Sequence, residues 1–233
     1  MTTLALADIG KITVVRGEVF VKRDAEVIKA YNSMKLLRED IIETGHGRMQ
    51  MSFKDNTVIS LGKDSRFIIK EYLYMPNTNK FAATFKIEKG FIKTITGTIG
   101  KMMPELFILE TSAAKIRPNG TIWSVRVNSE SEHYVVHEGK IDISFHDILR
   151  ENRKLQAGES LTLNIESVDS IKIVRNFKNS RDMRYENSVE SNNAWRKEDQ
   201  DINKGTTINA KGELVGNSSN GHGFDPSNLR YSK

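Results

Sequence analysis

Five histidines, 30 aspartates and glutamates and no cysteine are what this 233-residue chain has for chemistry. The absence of cysteine removes disulfides, Cys-ligated zinc and thiol nucleophiles together. His133 and His137 are four apart, a spacing that on a helix would let two imidazoles share a metal. Around them, though, apolar and polar residues alternate, which is the period of a strand. Four residues along a strand span ~13 Å, too far for two ligands of one zinc with bonds near ~2 Å. Both histidines are therefore read as packed or solvent-facing. The tripeptide Gly45-His46-Gly47 reads as a strand corner and its repeat, Gly221-His222-Gly223, as a linker. Gly97-Thr98-Ile99-Gly100-Lys101 looks like a phosphate loop without its spacing, because Met102 stands where Ser or Thr should hold magnesium. No G-x-S-x-G elbow is present, and nothing singles out an acid/base pair among the carboxylates. The residues thus point to no catalytic set, no metal site and no cofactor, and a non-enzyme is expected.

The elements that would position these residues are strands. Met49, Met51 and Phe53 alternate with Arg48, Gln50 and Ser52. Trp123, Val125 and Val127 alternate with Ser124 and Arg126. Ile141, Ile143 and Phe145, and then Leu161, Leu163 and Ile165, repeat the pattern. Val15, Val19 and Val21 mark an earlier strand, Phe85 and Ile87 a middle one, and Ile171 and Ile173 the last. Period two puts one set on a core face. Asp55-Asn56, Gly62-Lys63-Asp64, Gly90, Gly97 to Gly100, Pro118-Asn119-Gly120 and Gly139 read as turns between them. Ile28, Tyr31, Met34, Leu37 and Ile41 also fit a helical period, but Asn32-Ser33 favours a loop and a short strand. The apolar run Met102 to Leu109 reads as a buried strand, its alternative being an exposed edge that accepts a partner strand. The fold class expected is all-β, a sandwich, barrel or solenoid.

Hydrophobic residues are 38% of the chain and the net charge is +5. Residues 176–233 are rich in Asn, Ser, Asp, Glu, Lys and Gly without apolar period, and read as a disordered tail. Trp195, Phe224 and Tyr231 are isolated aromatics within it. The stretch Lys80 to Lys101 is locally basic, but without interleaved stacking aromatics it does not predict nucleic-acid binding. No apolar run is long enough to cross a bilayer. Ala5-Leu6-Ala7 has the small-x-small form of a signal-peptidase site. Residues 1–8 are therefore read as a signal-peptide remnant, with a mature start at Asp8 and an exported, periplasmic location.

The order of motifs in the body resembles the FecR domain, found in periplasmic regulators of cell-surface signalling and in other exported bacterial proteins. Gly10 to Val19, containing Arg16-Gly17-Glu18-Val19, is similar to the opening strand with its R-G-x-V turn. Leu37-Arg38-Glu39-Asp40-Ile41-Ile42-Glu43-Thr44-Gly45 resembles L-x-x-G-D-x-I-x-T-G, with Glu39 in place of the usual glycine. Phe53-Lys54-Asp55-Asn56-Thr57 through Leu61-Gly62 resembles F-x-D-G-S-x-x-x-L, followed by Ser65 where a serine often stands. Arg117-Pro118-Asn119-Gly120-Thr121 through Val125 resembles R-G-T-x-F-x-V with two residues inserted before the glycine. Glu138-Gly139-Lys140-Ile141 and Leu155-Gln156-Ala157-Gly158-Glu159 fit the closing elements. The residues expected to carry the structure are turn residues: Gly17, Asp40, Gly45, Asp55, Gly62, Gly120, Gly139 and Gly158.

The resemblance covers roughly residues 9 to 165, within a β domain expected over 9–175, and implies a β-helix or solenoid-like arrangement where alternation alone leaves a β-sandwich open. It implies a stand-alone exported FecR-domain protein, because no anti-sigma segment or membrane helix precedes the domain. The function expected is a non-enzymatic envelope interaction module that binds a protein partner, or a glycan or peptidoglycan. The alternatives are a structural piece of an exported assembly or adhesin, and a carbohydrate-active enzyme on a β-scaffold.

Overall fold

The computed structural model describes residues 8–165 and 171–175, with the short pairs 207–208 and 214–215. The chain divides into two compact units, Met1–Arg184 and Tyr185–Lys233. In the second, β16 (Thr207–Ile208) and β17 (Leu214–Val215) pair antiparallel. The rest of the expected tail, and residues 1–7 of the expected signal remnant, lie outside the described residues.

Among the described residues, the first unit is one hydrogen-bonded sheet of fifteen strands, in keeping with the all-β class its alternating sequence predicts. Three strands are far longer than the motif spacing suggests: β9 (Lys80–Ile95), β11 (Ala114–Val127) and β12 (Ser131–Phe145). Each serves two sets of neighbours. The first half of β9 pairs with β8 (Arg66–Met75) and, in parallel, with β10 (Phe107–Glu110). Its second half pairs with β7 (Val58–Leu61) and with the second half of β11. The later residues of β12 pair with β13 (Arg153–Gln156), and its earlier ones with β14 (Glu159–Asn164), which carries β15 (Ile171–Arg175).

The sheet therefore has two arms joined through β9, β11 and β12. The first arm continues from β8 to β5 (Ile41–Glu43), β2 (Phe20–Arg23) and β3 (Glu26–Lys29). The second continues from β7 to β6 (Arg48–Phe53), β1 (Gly10–Arg16) and β4 (Lys35–Leu36). Side chains from both arms meet in one core. Phe53 of the second arm lies 5.0 Å from Phe85 and 5.2 Å from Tyr72 of the first, ring centre to ring centre. Burying each such side chain is worth ~1.5–3 kcal/mol, so the two arms hold each other in place. Every ladder but β9–β10 is antiparallel among the described residues.

Three expected turns are corrected. Gly90, Pro118-Asn119-Gly120 and Gly139 lie inside β9, β11 and β12, where the chain passes from one arm to the other. Gly90, Gly120 and Gly139 have φ of 97°, 60° and 75°. A left-handed glycine bends a strand as readily as it closes a hairpin, and the two uses look alike in sequence. At the β11–β12 corner a side chain on Gly139 would place its Cβ 2.3 Å from the Gly120 carbonyl oxygen, so the two strands can cross there only with glycine. Gly97 to Gly100 is not a simple turn either: Thr98–Met102 forms the short helix α1. The segment from Ile28 to Ile41 contains no helix, as its Asn-Ser pair suggested. In the apolar run, Phe107 and Leu109 are buried while Met102 is 71% exposed.

Candidate functional site

Asp40 is fully buried at the end of the 37–40 turn. It accepts the Leu37 amide at 2.8 Å and a two-pronged bond from Arg23, Nε at 2.7 Å and Nη2 at 2.8 Å. The hydrogen bond to Asp40 raises the Arg23 pKa against the opposing effect of burial. Arg23 also donates to the Lys35 carbonyl, so one guanidinium ties β2 to the 35–40 loop. Glu39, standing at the glycine position of the motif, has φ of 69°. Its side chain is exposed and its amide donates to the Ile69 carbonyl at 2.8 Å.

Asp55 is also fully buried. Its carboxylate accepts the Tyr72 hydroxyl at 2.9 Å, the Thr57 amide and hydroxyl at 3.1 and 2.8 Å, and the Ile99 amide at 3.2 Å. Its carbonyl accepts the Thr98 amide, and Thr57 Oγ1 accepts the Gly97 amide. Burial, and then the Asp55 charge, push the Tyr72 hydroxyl far above its ordinary range. The amides at the start of α1, the feature that looked like a phosphate loop, are thus already engaged by Asp55 and Thr57. A phosphate would have to displace these bonds.

The Gly62 carbonyl accepts the Thr44 hydroxyl at 2.5 Å and lies 3.0 Å from Ser65 Oγ. Ser65 Oγ accepts the Phe91 amide at 3.0 Å, and its own amide donates to Thr44 Oγ1 at 2.9 Å. Gly17, Gly45 and Gly158 sit in turns with φ of 72°, 44° and 84°. The expected residues therefore do not converge on one cleft. They are corner-holding groups spread along the body, and Asp40 and Asp55 are its buried anchors.

A third anchor was missed. Glu132 is fully buried and accepts the Ser112 hydroxyl at 2.5 Å, the Ala113 amide at 3.0 Å and the Tyr134 hydroxyl. Burial and the neighbouring Glu132 push the Tyr134 hydroxyl well above its ordinary value. The signal was present: Glu132 is in phase with Tyr134 and Val136, which places a carboxylate on the core face.

His133 and His137 both lie on β12, in the strand setting expected of them. His133 Nδ1 is 2.7 Å from Thr162 Oγ1 and His137 Nε2 is 3.2 Å from Ser124 Oγ. Among the described residues, no three His, Asp or Glu side chains gather as a metal site would require. His46 is exposed in its corner, and His222 lies outside the described residues.

The outward face of the first arm is a ladder of opposite charges. Lys22 meets Glu43 at 2.8 Å, Glu43 meets Arg66, Arg66 meets Glu88 at 2.7 Å and Glu88 meets Lys86 at 2.9 Å. Hydrogen bonds from Lys22 and Lys86 respectively are the largest influences holding Glu43 and Glu88 below the usual carboxylate range. The first three of these pairs cross between strands, and such pairs favour a sheet.

Residues 40–142 match the family model described as FecR protein. The match opens on the buried Asp40 and closes within β12, so it takes in β5 and β8 of the first arm, β6 and β7 of the second, and the corner glycines of all three long strands. No curated protein matches. Two crystal structures of a putative anti-sigma factor from Parabacteroides distasonis ATCC 8503, at 1.65 and 2.50 Å resolution, are similar at 16% and 17% identity with TM-scores of 0.47 and 0.46. Each alignment covers 58% of this chain and 59% of the solved chain, so less than two thirds of those chains is spanned. No helix among the described residues is long and apolar enough to cross a membrane.

Proposed function

We propose that this chain, which carries a FecR domain across residues 40–142, is a non-enzymatic interaction module of the cell envelope that binds a protein partner in cell-surface signalling. One observation carries the reading. The buried carboxylates among the described residues of the matched segment are spent on holding its corners: Asp40 on Arg23 and the Leu37 amide, Asp55 on Tyr72, Thr57 and α1, Glu132 on Tyr134 and the 112–113 turn. A scaffold built in this way presents sheet surface and, among the described residues, edge strands such as β3 and β4 that pair on one side only, which suit docking. The exported location is part of this proposal and rests on the family resemblance.

For the architecture, antiparallel ladders and strands that cross between arms favour the packed-layer alternative over a parallel-rung solenoid. Strands that change layer at bulges are a known way of turning such corners. The corner residues Gly17, Asp40, Gly45, Asp55, Gly62, Gly120, Gly139 and Gly158 then act as scaffold rather than contact residues.

The test is affinity capture with the full chain from envelope extract of its own source, followed by cross-linking and mass spectrometry. The reading expects a discrete protein that is retained at physiological salt and competed by untagged chain. Retention of nothing beyond the untagged control, or turnover of an envelope polysaccharide by the purified chain, would overturn it.

A further inference from the structure

One long edge of the sheet is open. β8 runs from Arg66 to Met75, but β5 covers only Arg66 to Ile68. Ile69 gives its amide to the Asp40 carbonyl at 3.0 Å, and its carbonyl accepts the Glu39 amide at 2.8 Å. Beyond it, from Lys70 to Met75, no described strand pairs with β8 on that side. On the other side β9 pairs with β8 as far as Met75, which stands opposite Lys80.

The register fixes which groups face the opening. Ile69 turns both backbone groups away from β9, so it is a non-bonded partner of Phe85 in the β8–β9 ladder. The register then slips by one residue between Ile69 and Glu71. Alternation resumed after such a bulge bonds Glu71, Leu73 and Met75 to β9, and it turns the N–H and C=O of Tyr72 and Tyr74 to the open side. Among the described residues nothing on that side meets them. The side chains alternate as well. Tyr72 is buried in the core and Tyr74 packs against it, while Leu73 is half-buried and Met75 is 50% exposed on the outer face.

Open edges in soluble proteins are blunted by charge, by proline or by brevity. Tyr72-Leu73-Tyr74-Met75 has neither charge nor proline. The blunting features stand at its two ends. One is the bulge at Lys70, and the other is Pro76, which opens a single 3-10 turn and has no N–H. Leu73 lies midway between them. A two-fold axis at Leu73 therefore lets the edge meet a copy of itself along its whole length. Tyr72 of each copy then stands opposite Tyr74 of the other, and their open groups close four hydrogen bonds. Leu73 faces Leu73 and Glu71 faces Met75, so no like charges are directly opposed within the pairing. Lys70 is held by Glu110 at 2.7 Å. The edge is thus complementary to itself in backbone, side chain and charge.

We infer that two copies of this chain pair antiparallel through the β8 edge, Lys70 to Met75, around a two-fold axis at Leu73 that joins their sheets. This goes beyond the module reading and does not depend on it. So short a pairing is a small interface, and association on the order of tens of micromolar is expected.

The chain has no cysteine, so one introduced thiol reports on the axis. Residues opposite each other in a non-bonded antiparallel pair have Cα atoms ~4.5 Å apart, within the ~4.4–6.8 Å that a disulfide spans. In the full chain, Leu73→Cys should oxidise to a covalent dimer at least about tenfold faster than Met102→Cys, although Met102, outside the edge, is 71% exposed. Sedimentation equilibrium up to ~0.5 mM should show a monomer–dimer equilibrium. Leu73→Lys should weaken it at least about tenfold, and Met102→Lys less than about twofold. Amide exchange at Tyr72 and Tyr74 should slow as concentration rises. A monomer throughout that range, a dimer that Leu73→Lys leaves intact, or a Leu73→Cys disulfide no faster than that of Met102→Cys would each overturn the inference. The cysteine comparison decides if Leu73→Lys fails to fold. If wild type stays monomeric while Leu73→Lys loses an envelope protein that wild type captures, the edge takes a foreign strand, and this inference falls while the module reading stands. If wild type dimerises through Leu73 and captures nothing, the module reading falls and this inference stands.

Discussion

Ser65 fills the space that a side chain on Gly90 would need: a Cβ at Gly90 would lie 2.3 Å from Ser65 Oγ and 2.4 Å from Ser65 Cα. Gly90 has φ of 97° at the point where β9 leaves β8 for β7 and β11. The two residues, far apart in sequence, form one corner, closed by the bond from the Phe91 amide to Ser65 Oγ.

Gly90→Ala should therefore be costly. The substitution adds left-handed strain of ~1–2 kcal/mol and a backbone clash, so a loss of at least about 2 kcal/mol is expected, a fall in Tm of roughly 4–8 °C. Differential scanning calorimetry measures it. A variant as stable as wild type would mean that the corner does not depend on this contact.

Glu39→Gly should do the opposite. Glu39 is exposed with φ of 69°, and glycine removes strain of ~1–2 kcal/mol against an unfolded-state entropy penalty of ~0.4–1 kcal/mol. A net gain of about 0.5–1 kcal/mol is expected in urea titrations. Asn56→Gly, at a position with φ of 66°, should gain less, because asparagine already tolerates that conformation.

Asp55→Ala should strand the Tyr72 hydroxyl and the Thr57 and Ile99 amides in the core. Each unsatisfied group costs ~1–3 kcal/mol, so a loss of about 3 kcal/mol or more is expected. Tyr72→Phe removes one partner and leaves the Asp55 amide, which donates to the Tyr72 hydroxyl at 2.8 Å, without its acceptor. It should cost roughly half as much as Asp55→Ala. Equilibrium urea unfolding at constant m-value checks both.

The charge ladder of the first arm gives a pH dependence. Glu43 and Glu88 titrate below their ordinary value of 4.5 in the fold. A depressed folded pKa means that the unfolded chain binds protons first, so the stabilisation is present above about pH 4.5 and is lost as pH falls through the folded values. Urea midpoints should decline below that pH, and Glu43→Gln/Glu88→Gln should flatten the decline. Added salt should weaken the effect in wild type, since these side chains are partly exposed.

Much of this fold was legible in alternation. Met49, Met51 and Phe53 face the core as their period requires. What alternation could not show was that Arg48 and Gln50, on the other side of the same strand, are 4% and 1% exposed. Polarity at those positions predicted solvent, and burial depends on what lies across the strand, which local sequence does not encode. Gly90, Gly120 and Gly139 were legible as special backbone positions but not as bends within long strands, because a positive φ has the same sequence signature in both settings. Glu132 escaped notice because a carboxylate was read as surface, although its phase with Tyr134 placed it inward. Glu39 is the converse case: the departure from the motif's glycine was visible, and the backbone kept the glycine's conformation.

Site-specific photo-cross-linking in intact cells tests the central claim, that this body works by docking a protein, most directly. A photoreactive residue is placed in turn at Arg16 on the second arm and at Lys70 on the first, both exposed. The account predicts a discrete protein adduct from at least one of the two positions. No protein adduct from either position, with the chain folded and at its native level, would contradict it.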